Sequence, residues 1–118
     1  MEDTYRVPVG DADRIRAGLV IQLVAASTGV TAERMRAGAR PGRRATRARW
    51  LAMYLAYVTF GWPIERVGHA FGLNRTTAAA ACRWVEEERD RPTLDALLER
   101  LQRLAREVLD APVCELPA

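Results

Sequence analysis

The chain contains no lysine, a single histidine (His69) and only two cysteines, Cys82 and Cys114. Two cysteines build neither a disulfide framework nor a structural zinc site, which takes four ligands in close spacing. A reduced, cytoplasmic setting is therefore expected, without a bound metal. Long hydrophobic runs are missing as well. The apolar stretch over residues 19–26 is interrupted by Gln22 and is far too short to span a bilayer. The first fourteen residues are acidic and polar, unlike a secretory signal, so no membrane partner is expected. A phosphate loop, a nucleophile paired with a base and a coherent pair of carboxylates are also lacking. That excludes a recognisable catalytic centre, and neither enzyme activity nor a cofactor is expected. The absence of lysine accompanies abundant alanine and reads as compositional bias.

Charge is present in quantity but unevenly. The 118 residues carry a formal net charge of only +3. Residues 1–33 hold three Arg against five acids, and residues 86–118 hold five Arg against nine acids. Between them, residues 34–85 hold ten Arg against one acid, Glu65, a local excess of +9. A basic block between acidic ends is the electrostatic footprint expected for a polyanion partner. Hydrophobic residues make up 49% and charged residues 28% of the chain, enough for one folded domain with one core.

Periodicity predicts an all-α fold of five or six helices within residues 11–110, after an arm over 1–10 and before a tail over 111–118. Ile15, Leu19, Leu23 and Ala26 suggest the apolar stripe of a first helix. Thr31 is placed to cap a short helix over 32–36. The segment GARPGRRATRAR (38–49) combines Gly, Pro and five Arg, and reads as a basic loop entering a helix near Thr46. Residues 48–61 are apolar nearly all round, the pattern of a central buried helix ended by Gly61. Pro63 suits the first turn of the next helix. Ile64, Val67 and Phe71 give that helix an inner face, and Gly72 offers the left-handed turn that stops it. Asn74 can cap a second helix whose inward positions are Ala78, Ala81, Cys82 and Val85. Short helix, glycine turn, second helix is the helix-turn-helix pattern, here over 63–88. A last helix over 92–110 carries a stripe of Leu94, Leu97, Leu98, Leu101, Leu104, Ala105 and Val108, expected to pack on the core.

With those inward positions, Arg75, Thr76, Ala79 and Arg83 face outward. Together with Asn74 and Thr77 they form a polar helix tip suited to double-stranded DNA. Arginine bonds guanine bidentately, a threonine methyl touches that of thymine, and the N-terminal N–H groups favour phosphate. Arg40, Arg43, Arg44, Arg47 and Arg49 form a second element, able to follow a phosphate backbone or to enter a minor groove. The alternative for the tip is an ordinary capped surface helix, and for the arginine run a solvated face. Cys82 reads as a small core residue, His69 as a surface or phosphate-touching side chain, and Trp50, Trp62 and Trp84 as core or interface anchors.

TRARWLAMYLAYVTFGWPIERVGHAFG resembles the basic loop, central helix and first helix-turn-helix helix of domain IV, the DNA-binding domain of the bacterial replication initiator DnaA. TTAAAACRWVE resembles that family's recognition helix, TTVxHACRKIE. The likeness spans about residues 15–90. It extends to small stand-alone proteins of alphaproteobacteria, the HdaB-like group, with a recognition turn similar to FGRDRTT and an acidic, leucine-bearing tail. The resemblance implies a DnaA domain IV-like, Trp repressor-like fold. It also implies a minor-groove role for Arg47, a backbone role for Arg49, base and phosphate contacts for Thr76 and Thr77, and the ACR-block role for Arg83. It further implies a part in regulating replication initiation, with the initiator or its regulatory inactivation factor as partner, and the same chemistry would serve a general transcription regulator. A nucleoid-associated place in the cytoplasm follows. The chain departs from the initiator's GRDHTT in having LNRTT, one residue shorter, with Leu73 and Asn74 in place of a basic residue and Asp. Starting at Met1 with 118 residues, it is expected to lack the initiator's ATPase module. The rival expectation is a protein-interaction module that has kept this fold without reading DNA.

Overall fold

Six helices make up the described part of the chain: α1 (Asp11–Thr28), α2 (Ala32–Met35), α3 (Arg43–Phe60), α4 (Ile64–Ala70), α5 (Arg75–Glu88) and α6 (Pro92–Asp110). The structure, a computed structural model, describes residues 8–36 and 42–118. Most of the expected N-terminal arm and the start of the basic loop, including Arg40, lie outside the described residues. Among the described residues there is no strand, no helix long and apolar enough to cross a membrane, and no group of three His, Cys, Asp or Glu able to hold a metal.

The central helix is α3, which touches each of the other five. Its unbroken buried run, Leu51, Ala52, Met53, Tyr54, Leu55 and Ala56, explains why its sequence is apolar on all sides. Leu55 from α3 and Leu98 from α6 have no exposure, and burial of each stabilises the fold by roughly 1.5–3 kcal/mol. Gly61 ends α3 at φ 67°, as its position predicted. The helix begins earlier than expected, at Arg43 instead of near Thr46. Arginine is a good helix former, and Gly42 is the break that matters, so most of the basic loop is the first two turns of α3.

The first helix corrects a second expectation. Its buried face is Ala17, Val20 and Val24, whereas Ile15 is 72% exposed and Ala26 is on the surface. Leu19 and Leu23 are only partly buried beside this face. The sequence GLVIQLVAA is apolar in several directions, so periodicity alone does not choose which side meets α3. The stripe of α6 is buried at Leu98, Leu101 and Ala105 and emerges at Val108, which is 58% exposed.

Helix-turn-helix geometry comes from α4 and α5. Gly72 takes φ 73°, a left-handed conformation costly for any residue with a Cβ. The turn closes when the Leu73 N–H donates to the Gly68 carbonyl at 2.8 Å. Gly68 itself lies where the two helices nearly touch. A Cβ there would sit 2.5 Å from the Asn74 carbonyl oxygen and 2.6 Å from its carbon, both rigid backbone atoms. All four inward positions of α5 expected from sequence, Ala78, Ala81, Cys82 and Val85, are buried.

Three outcomes follow from this packing. Gly68→Ala should destabilise the protein by about 1–3 kcal/mol through overpacking, read as a lower Tm and lower denaturant midpoint. Burial pushes the Cys82 thiol up from 9.0 to about 11, with Glu86 adding to the shift, whereas Cys114 is exposed. Ellman's reagent at neutral pH should therefore modify one thiol rapidly and the second only on unfolding. Because the buried thiol stays protonated where the unfolded one ionises, its contribution to stability should fade as pH rises from about 9 to about 11.

Candidate nucleic-acid interface

Asn74 opens α5 in extended conformation, and its Oδ1 accepts the Thr77 N–H at 2.8 Å. This cap satisfies one of the N–H groups that a helix start leaves unpaired. It also fixes the path of the chain, so Arg75 and Thr76 stand exposed on the first turn with Thr77 half-buried beside them. Two turns further on, Arg83 is exposed on the same outer side as Thr76, and Ala79 and Ala80 leave the surface between them low.

The second basic element gathers at the start of α3. Arg43, Arg44 and Arg47, with Ser27, Thr28, Val30, Ala48 and Leu51, line a cleft of about 620 Å³. All three arginines are exposed. Arg44 also donates to the Thr28 carbonyl at the end of α1, which holds its stem across the cleft. Arg47 turns the other way at its tip: its guanidinium carbon lies 4.6 Å from the centre of the Trp84 ring on α5. Trp50, one turn after Arg47, meets the same ring edge-on at 5.6 Å.

Arg49 is placed differently from its neighbours. It is half-buried, and Nη1 donates at 3.4 Å to the carbonyls of both Met35 and Arg36, closing the end of α2. Burial lowers its pKa from the usual arginine value, but a guanidinium remains charged throughout the accessible range. The structure thus brings Arg43, Arg44 and Arg47 together at one cleft, joins Arg47 to α5, and spends Arg49 on holding α2. Sequence reasoning passed over Gly68 and read Trp84 only as a core or interface anchor, without its partner Arg47. Gly68 had a signal, a glycine inside a short amphipathic helix. Trp84 had none beyond being aromatic.

Helix-end electrostatics single out the same two elements. Positive charge at a helix N-terminus opposes the macrodipole, and acids there are favourable. Acidic residues occupy the first turns of α1 (Asp11, Asp13), α2 (Glu33), α4 (Glu65) and α6 (Asp95). The first turns of α3 and α5 contain none, and hold Arg43, Arg44 and Arg75 instead. At its other end α5 runs into Glu86, Glu87 and Glu88, again against the dipole. Glu86 is held by the Tyr54 hydroxyl, which donates to it at 2.8 Å, and Arg89 bonds both Tyr54 and Asp95. Burial lowers the Arg89 pKa, but those two bonds outweigh it and leave it raised, a fixed positive charge that ties α3, α5 and α6 together.

Fold and site together define a helix-turn-helix protein in which the second helix of the pair presents a capped, basic tip. Residues 18–85 match the family described as the bacterial dnaA protein helix-turn-helix, more than half of the chain. The chain belongs to that family. A solved crystal structure of a DNA replication initiation factor is similar over 81% of this chain, with 28% identity and a TM-score of 0.70. This chain spans 30% of that protein's length. No curated protein matches the sequence significantly.

Removing the cap should weaken the tip selectively. Asn74→Ala is expected to cost about 1 kcal/mol of stability in chemical denaturation, with faster amide exchange at Thr76 and Thr77 than at Ala81 and Cys82.

Proposed function

We propose that this protein binds double-stranded DNA through the N-terminal ends of α3 and α5 and acts in the control of chromosome replication initiation. The observation that carries the reading is the choice of residues at those two helix starts. Unlike the other described helices, they leave their dipoles unopposed by acid and add arginine, a combination that costs stability in the free protein and favours phosphate. Arg43, Arg44 and Arg47 contact the phosphate backbone. Arg75, Thr76 and Thr77 enter the major groove with Asn74 fixing their direction, and Arg83 meets phosphate further along. Arg49 acts by holding α2 in place. The relation to replication rests on the family and on the similar initiation factor. The same chemistry would serve a helix-turn-helix transcription regulator, which would differ only in its sites.

One observation favours a second reading, as a module that binds the replication initiator or its regulatory inactivation factor. Val108, Val113 and Leu116 are strongly exposed apolar residues at the end of the chain described here. In contrast Leu73, at the turn, packs against the core and offers such a partner little.

Titration of labelled origin and scrambled duplexes at several salt concentrations separates the two. Neutralisation of about five phosphates by the exposed arginines should give log K a slope of about −4 to −5 against log salt. Arg43→Ala and Arg44→Ala should weaken both duplexes alike, whereas Thr76→Ala should narrow the gap between them. Salt-independent affinity, or none, would leave the protein-interaction reading in its place. Capture of purified initiator by Val108→Asp protein, compared with the unaltered chain, tests that reading directly.

A further inference from the structure

The Arg47–Trp84 pair lies at the margin of the core, against which the half-buried Trp84 packs, and its geometry is specific. Arg47 and Trp50 are three residues apart, so both lie on the side of α3 that faces α5. Trp84 is seven residues after Thr77, so it lies on the same side of α5 as Thr77, about 10 Å along the helix. The half-buried Trp84 ring takes the Arg47 guanidinium over its face and Trp50 against its edge. Arg47 nevertheless remains exposed. A guanidinium lying on a ring uses its π face and leaves the N–H groups of its edge available, which is the orientation that bonds a phosphate or a base edge.

We infer that Trp84 is a positioning residue for DNA binding, holding Arg47 at the seam between the arginine cleft and the recognition helix. This rests on the DNA-binding reading above. Arg47 lines the cleft with Arg43 and Arg44 and also touches α5. It is therefore the basic side chain that fixes the cleft relative to the helix tip. Without the ring its long side chain samples many rotamers, and ordering it on a duplex costs affinity. With the ring, that ordering is completed in the free protein. Among the described residues Arg43 has no comparable seat, and Arg44 is seated on a backbone carbonyl of α1 instead.

The test compares substitutions that separate the ring's electronic face from its bulk. Trp84→Leu keeps an apolar filler and removes the π face, and Trp84→Phe keeps both in part. With a fluorescein-labelled duplex at low salt, Trp84→Leu should weaken binding up to about tenfold, close to the loss from Arg47→Gln. The double variant should be little worse than either single one, and Trp84→Phe should recover most of the affinity. Additive losses, equal losses for Leu and Phe, or tighter binding by Trp84→Leu would overturn the inference. The last result would mean that the ring withholds Arg47 from DNA.

A second measurement needs no DNA. The Arg47 methylene protons should show an upfield ring-current shift that is lost in Trp84→Leu and kept in Trp84→Phe. Absence of that shift in the unaltered protein overturns the pairing even where the duplex is bound. Presence of the shift in a chain that binds no duplex sinks the reading of the interface, and the positioning role with it, while leaving the pair intact.

Discussion

The backbones of α4 and α5 approach each other at Gly68 and Asn74 more closely than any side chain would allow. Everything presented by the recognition helix depends on that approach. It sets where the Asn74 cap stands, and therefore where Arg75 and Thr76 stand. Further along the same pair of helices, small residues continue the close packing: Ala78, Ala81 and Cys82 sit inward with almost no exposure. Density at such a contact comes from shape and leaves little room for adjustment. The alanine run thus reflects two needs at once, a helix that forms readily and one that lies low against its partner.

Much of this was legible from the residues. The helix ends were readable because Gly61, Gly72, Thr31 and Asn74 each impose local chemistry that needs no knowledge of the rest of the chain, and all four act as their positions suggest. The inward face of α5 was readable because its polar residues leave one choice. In α1 the sequence offers several apolar faces, and only the placement of α3 and α6 decides between them. The start of α3 was obscured for a related reason. Five arginines look like a loop when charge is the guide, but charge carries no information about φ and ψ, and arginine extends a helix well.

Arginine also shows why counting charge cannot locate a site. Among the described residues the same side chain serves four purposes. Arg49 and Arg106 bond backbone carbonyls, of Met35, Arg36 and Thr59. Arg66 and Arg89 pair with Asp13 and Asp95, joining helices. Arg47 lies on an aromatic ring. Arg43, Arg75 and Arg83 project from the surface. The net excess of +9 over residues 34–85 includes all four kinds. Only the structure separates those that hold the fold from those that face a partner, and the separation depends on contacts across tens of residues. The Trp84 ring under Arg47 is one of these, invisible to any local pattern.

The charge arrangement along α5 constrains how a duplex can lie in the proposed complex. The helix is basic at Arg75 and Arg83 and acidic from Glu86, and Tyr54 and Arg89 hold that acidic end in place. Phosphates are attracted at one end and repelled at the other, so the helix meets the groove tip first. The Arg47–Trp84 pair lies at the boundary between the two regimes. Between Thr76 and Arg83 the outer surface is alanine, which touches at most a thymine methyl and bonds no base edge. Few side chains are then left to discriminate sequence, and each good bidentate contact supplies only about 1–3 kcal/mol. Affinity in such a complex comes mainly from phosphate, and selectivity from the tip residues and from how easily the duplex adopts the shape that lets the cleft and the tip engage together. The rigidity of the seam between cleft and tip therefore matters more to sequence choice here than it would on a recognition helix rich in long polar side chains.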